Sequence, residues 1–306
     1  MQATTQTWGD GNPANGVPPG FASDILGAGD IIVLEDSITT GMVTGDEDPN
    51  DPANDLPLQN VIDFDGRDRV GTTCATAVTR AGWASTGTLN AGATEVWSVS
   101  DLGTTYTLPV GENTAQADDD FEVSNVSILA TADSTTVDID HDADGTVDVI
   151  VVLDEGETYY LDSSNLAINE GATIVASDRI SVTLATGDEN TNYEQRWFGV
   201  LPEERWDSCY YAPTNEQPSS AVRIFLYNSS GAAIDVEATD GTGALTNINI
   251  PAGESRTYDM PTAPVGAELC SADGTQFYAL AAVTRATRPT TGATPLCPMR
   301  CSPTSS

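Results

Sequence analysis

The chain has 306 residues, 46 acidic against 11 basic, with a formal net charge of −35 and a sequence pI near 4.1. Every basic residue is arginine, and so few of them cannot neutralise a phosphate backbone or hold anionic headgroups, which excludes nucleic acid and anionic membranes as partners. A 39% apolar content still supplies real cores, which excludes general disorder.

Residues 1–29, rich in Thr, Gly, Asn and Pro and without periodicity, read as an extended N-terminal arm. From Ile31 the pattern changes to short β-branched runs, beginning with Ile31-Ile32-Val33-Leu34, separated by turn signals every 8 to 12 residues or so. The acidic stretch Gly45 to Asp55 interrupts them as a loop. No window carries a convincing amphipathic helix. The fold class expected is therefore all-β, two or three tandem antiparallel β-sandwich domains with extended terminal arms. The boundaries fall at 30–122, 123–190 and 221–287, with an aromatic and Pro-rich connector at 191–220 and a Cys/Pro/Ser-rich tail at 288–306. The longest clean apolar run, Val149 to Leu153, is far too short to span a bilayer, so no membrane insertion is expected.

An internal repeat organises the middle of the chain. Val126-Ser127-Ile128 through Val137-Asp138-Ile139 matches Val222-Arg223-Ile224 through Ile234-Asp235-Val236. Leu153-Asp154-Glu155-Gly156-Glu157-Thr158 then matches Ile250-Pro251-Ala252-Gly253-Glu254-Ser255, and Gly171-Ala172-Thr173-Ile174 matches Gly266-Ala267-Glu268-Leu269. Each copy reads as a strand, a turn in which glycine supplies a positive φ, and a second strand. Leu89-Asn90-Ala91-Gly92-Ala93-Thr94 reads as a third, partial copy of that turn.

The run Ala130 to Val137, the Gly-Glu-Thr-Tyr run at 156–159, Gly171 and the segment Ser177 to Val182 together resemble the amino-terminal domain of IgGFc-binding-type proteins. The likeness is strongest over 120–190. It implies a β-rich extracellular protein, of the kind found among bacterial surface and secreted proteins, and it implies no catalytic residue. The cysteine-rich modules that follow this region in the animal proteins do not occur in these 306 residues, so immunoglobulin binding is not carried over. An extracellular or cell-surface location also fits a surface rich in Asp, Thr, Ser, Gly and Asn, self-repelling in dilute buffer and screened in salt.

The five cysteines, at 74, 209, 270, 297 and 301, form no CxxC pair, and the single histidine cannot complete a zinc set. Disulfides are expected among Cys209, Cys270, Cys297 and Cys301, with Cys209 and Cys270 one pairing that the strand-rich segment between them allows. Cys74 reads as a small buried apolar residue.

The sharpest chemical motif is Asp138-Ile139-Asp140-His141-Asp142-Ala143-Asp144-Gly145-Thr146-Val147-Asp148. Carboxylates at alternate positions around a glycine reproduce most of a calcium loop, with Asp140, Asp142, Asp144 and Asp148 as side-chain ligands and Thr146 through its carbonyl. Val151 stands where the bidentate Glu would be, and strands rather than helices flank the loop, so a solvated hairpin tip accounts for the same residues. Asp63, Asp65 and Asp68 make a shorter relative, in which Arg67 and Arg69 offer ion pairing instead.

No Gly-x-Ser-x-Gly elbow, Walker loop or dinucleotide fingerprint occurs, and no catalysis is expected. Tyr193, Trp197, Phe198, Trp206, Tyr210 and Tyr211 crowd the connector. Exposed, they would be a glycan or protein contact patch; buried, they are the seam between two sandwiches, which burial tendencies favour. Asn125-Val126-Ser127 and Asn228-Ser229-Ser230 fit the glycosylation sequon. The expected function is a secreted, non-enzymatic structural protein. It would form a homo-oligomer or polymer by strand addition from the terminal arms, with calcium bridging its acidic loops. The alternative is a monomeric adhesin or glycan-binding module.

Overall fold

The structure, a computed structural model, describes residues 76–83, 91–114, 121–163, 166–187, 196–213, 221–261, 265–284 and 293–296. Among them the regular structure is all strand apart from two 3-10 turns, Val99–Asp101 and Glu203–Arg205. In chain order the strands are β1 (Thr79–Trp83), β2 (Ala91–Glu95), β3 (Gly103–Thr107), β4 (Val123–Ala130), β5 (Thr135–Asp140), β6 (Val149–Leu153), β7 (Thr158–Leu161), β8 (Thr173–Gly187) and β9 (Arg196–Gly199). They continue with β10 (Cys209–Ala212), β11 (Ala221–Tyr227), β12 (Ile234–Asp240), β13 (Leu245–Ile250), β14 (Ser255–Asp259), β15 (Ala267–Ser271), β16 (Tyr278–Thr284) and β17 (Ala293–Pro295).

Alternation of apolar and polar residues decides which face each strand buries. On β12, Ile234, Val236 and Ala238 turn inward while Asp235 and Glu237 face solvent. Apart from the β1–β2 hairpin, the strands form two copies of one plan. In the first, the 15-residue β8 is the spine. Its N-terminal half pairs β5 and β3, and its C-terminal half pairs β4 and β9; β6 extends from β5 and β7 from β4. In the second copy that spine is cut into β15 and β16. One sheet runs β10-β15-β12-β13 and the other β14-β11-β16-β17, the same order with the same neighbours. The cut falls at a tight turn where Asp273 accepts from the Thr275 N–H at 2.9 Å and Gly274 takes φ 80°.

The repeated glycine turns are equivalent in detail. Gly156 (φ 80°) donates to Ala130 O and Gly253 (φ 70°) to Asn228 O, tying each turn to the end of β4 or β11. The third copy is corrected: Gly92 lies inside β2, opposite Gly82 of β1, and makes no turn. Pairing also runs across the boundary at 122 and into the connector. β3 joins the spine β8, β9 joins it further along the same edge, and β10 joins β15.

The two copies share their middle. Along β11, Phe225 and Tyr227 enter the core of the first sandwich while Ile224 and Leu226 enter that of the second; along β16, Tyr278, Leu280 and Ala282 face the first and Ala279 the second. The sheet β14-β11-β16-β17 is therefore covered on both faces. Burying each large side chain there contributes roughly 1.5–3 kcal/mol. Trp206, from the second 3-10 turn, meets Tyr278 and Tyr227 edge-on at centroid distances of 5.3 and 6.3 Å, and Phe121 meets Phe225 at 5.0 Å. Two of the buried aromatic side chains pair their polar tips with backbone carbonyls. Tyr106 donates to Ile180 O and Trp206 Nε1 to Leu201 O, and burial pushes the Tyr106 hydroxyl up to about 12.

Candidate metal site and exposed faces

The β5–β6 hairpin tip brings together part of the calcium-loop set. Asp140 ends β5, Asp148 immediately precedes β6, and one oxygen each of Asp140, Asp142 and Asp148 lies within 4.8 Å of the others. The loop turns through Ala143 (φ 63°) and Gly145 (φ 86°), and its own N–H groups bind the carboxylates. Asp140 accepts from Gly145 N at 2.8 Å and from Asp144 N at 3.3 Å, and Asp148 from His141 N at 3.1 Å. Asp144 stands apart from the three, accepting from Thr146 N at 2.7 Å. Three converging carboxylates suit a hard cation. Calcium takes six to eight oxygens, so the rest would come from backbone or water and the affinity would be low.

The chain after β7 braces this tip. Asn169 donates its backbone N–H to His141 O and its side-chain amide to Asp142 O, both at 2.9 Å. The His141 ring places Nδ1 2.7 Å from Ala167 O, and Nε2 3.6 Å from Asp148.

The corresponding tip of the second sandwich, between β12 and β13, holds one acid. Asp240 accepts from the Thr242 hydroxyl at 2.6 Å and from the N–H groups of Thr242 and Ala244, contacts that hold its carboxyl below the usual range. No second carboxylate lies in Gly241-Thr242-Gly243-Ala244.

The connector aromatics divide by burial. Trp197, Phe198, Trp206 and Tyr210 are packed inside, which removes them from a contact patch. Trp206 packs against Tyr227 and Tyr278, and Tyr210 against Phe277, all outside the connector. Trp206 sits at the seam, and Trp197 is covered by the Arg80 guanidinium, 4.6 Å from the ring centroid. Tyr211 alone of the described set is exposed, its hydroxyl donating to Glu268 at 2.8 Å. Beside the seam a cleft of about 600 Å³ is lined by Ser100, Thr104, Arg179, Glu204, Arg205 and Trp206 among others. Two of these charges already hold the 3-10 turns in place: Arg205 pairs with Asp101 at 2.8 Å, and Glu204 accepts from Thr104.

Cys209 and Cys270 stand opposite each other on β10 and β15 and form a disulfide. Neither sequon presents its asparagine. Asn125 and Asn228 are buried, and the Asn228 amide donates to Ala232, Ile250 and Pro251 carbonyls. Asp63, Asp65, Asp68, Tyr193, Cys74, Cys297, Cys301 and the N-terminal arm lie outside the described residues, whereas Ala293–Pro295 of the C-terminal tail pair β16 of the same chain as β17.

One contact had no signal in the sequence. Glu170, in the turn before β8, reaches the second copy and accepts from Ser255 N at 2.6 Å and Ser255 Oγ at 2.8 Å. Burial raises its carboxyl above the ordinary range despite these bonds.

Two sandwiches of one plan, fused through a common sheet, the second carrying a disulfide between neighbouring strands, define a β-sandwich scaffold with no helix long and apolar enough to cross a membrane among the described residues. The family model described as IgGFc binding protein matches residues 69–276, most of the chain, covering the first copy and the second as far as β15, and the chain belongs to this family of extracellular binding domains. No curated protein matches it.

Proposed function

We propose that the chain works outside the cell as a non-catalytic binding module, adhesin-like in presenting loops and edges on a rigid frame. The observation that carries this reading is the family match over 69–276, which covers the first sandwich and runs into the second as far as β15. The disulfide fits an oxidising compartment, and the charge of −35 fits a protein that stays dispersed until it meets a complementary partner. The only histidine braces the β5–β6 tip, an employment that suits a structural role better than proton transfer. The test is surface plasmon resonance with the full chain immobilised and a panel of IgG Fc, mucin-type glycoprotein, and acidic and neutral polysaccharides in the flow. Retention of at least one class is expected; silence across the panel overturns the reading.

A second reading, calcium-assisted self-assembly, is supported by the convergence of Asp140, Asp142 and Asp148. On this reading calcium at ten times its Kd would add about 1.4 kcal/mol of stability. Thermal unfolding in millimolar calcium and then in chelator, at constant ionic strength, should show a higher Tm with calcium. Asp148→Asn should abolish the rise and Asp240→Asn should leave it. Sedimentation velocity under the same two conditions reads the assembly itself. A Tm indifferent to calcium removes the tip from the mechanism.

A further inference from the structure

We infer that the outer edge of β6 is a docking strand for an extended, cationic segment of another protein. This deepens the binding reading and rests on it, naming where the partner sits and what its chemistry is.

β6 ends its sheet, and among the described residues it pairs β5 alone. Its five residues, Val149-Ile150-Val151-Val152-Leu153, are nearly all β-branched and contain none of the usual protections of an edge, neither charge, proline nor bulge. The side chains on its outer face are uncovered: Ile150 is 66% and Val152 62% exposed. Across the face Ile150 stands opposite Asp138, and Asp138 opposite Val175 of β8, itself 45% exposed. An apolar row thus runs in from the edge with one carboxylate in it.

The molecule holds its own control. β13 occupies the same place in the second copy, an end strand pairing β12 alone among the described residues. Its outward positions are Leu245, 58% exposed at the end next to the β12–β13 tip, then Asn247 and Asn249, and Asn249 donates to Asp235 across the strand pair at 2.7 Å. One scaffold has dressed the middle of the same edge as polar in one copy and apolar in the other, and the uncovered apolar version is the kind of surface that marks an interaction site.

Charge selects the occupant. Asp148 and Asp154 bracket the strand and Asp138 lies in the row. A second copy paired antiparallel about Val151 would set Asp148 against its counterpart's Asp154, with −35 charges on each chain. Like charges directly opposite destabilise such pairs. The complement is a strand with β-branched side chains on one face and Lys or Arg at its ends, held by main-chain hydrogen bonds in the manner of β-augmentation.

The probe is a fluorescent seven-residue peptide of alternating Val and Thr with Lys at both ends, titrated into the full chain by anisotropy. Its companions are the same peptide with Glu ends and one N-methylated at alternate amides. Expected is saturable binding of the Lys peptide that weakens with salt, and none of the other two. The double change Ile150→Asn/Val152→Asn, which gives β6 the residue type β13 already carries, should weaken it about tenfold. Asn247→Ala/Asn249→Ala should leave it unchanged. Failure of the Lys peptide to bind, or equal binding by the β6 variant, overturns the inference; a panel ligand still retained in that case leaves the binding-module reading standing. Wild-type dimers in sedimentation velocity that the β6 change dissolves would place a second copy at the edge and overturn the occupant proposed.

Discussion

The two sandwiches are one plan carried out twice, and they differ where they meet solvent rather than where they pack. Strand order and glycine turns correspond, although β8 runs unbroken where the second copy has β15 and β16, and both lean on the same middle sheet. Yet the first copy has three carboxylates at its hairpin tip and Ile150 and Val152 along its edge, while the second has Asp240 alone at the tip and, beyond Leu245, asparagines along the edge. Core residues are constrained by the volume they must fill. Outward positions are free to diverge, so the difference between copies points to the surfaces that have been put to use.

The largest expected effect comes from breaking the shared middle. Phe225→Ala, facing the first core, should cost about 3–5 kcal/mol, and its neighbour Leu226→Ala, facing the second, about 2–5 kcal/mol. Because both lie on β11, each should shift one common unfolding transition in urea. A Phe225→Ala chain that loses one sandwich while the other unfolds at its original midpoint would break the comparison. Next is the disulfide, present only in the second copy among the described residues, which joins positions 61 apart. Replacing both cysteines with Ala should cost about 2–4 kcal/mol, read from the same titration.

The smallest effect sits at the join. Glu170 is raised by burial, so the folded chain holds that proton more tightly than the unfolded one. The stability this brings is complete below the ordinary Glu range and is lost as pH rises through the raised value. The wild type should therefore lose stability relative to Glu170→Gln over that rise, measured as paired Tm values. A difference between the two that stays flat with pH would show that Glu170 is not linked to the seam.

Much of this plan was legible in the residues, and the misses have physical causes. Gly156 and Gly253 were read as turns because a positive φ between two apolar runs leaves few alternatives. Gly92, in a similar string, is drawn into a strand because Gly82 lies opposite it, a partner that local sequence does not reveal. β9 and β10 are four residues each, too short for alternation to show, so a connector was expected where two sheets take their strands. The tip was read down to its ligand types. However, Asp144 turns to the Thr146 N–H, a local competition between backbone and ion that spacing does not settle. Val149 to Leu153 shows in the sequence only as the longest apolar run, and the strand order is what makes it an edge.

The most direct test of the whole reading exchanges the two edges. Into one chain go Ile150→Asn and Val152→Asn; into another, Asn247→Val and Asn249→Ile. The Lys-ended peptide is then titrated into both and into the wild type. Binding that weakens about tenfold in the first and strengthens in the second, against an intact far-ultraviolet spectrum in each, is the expected result. Binding that follows neither exchange would contradict the account, since the apolar dressing of β6 would then have nothing to do with recognition.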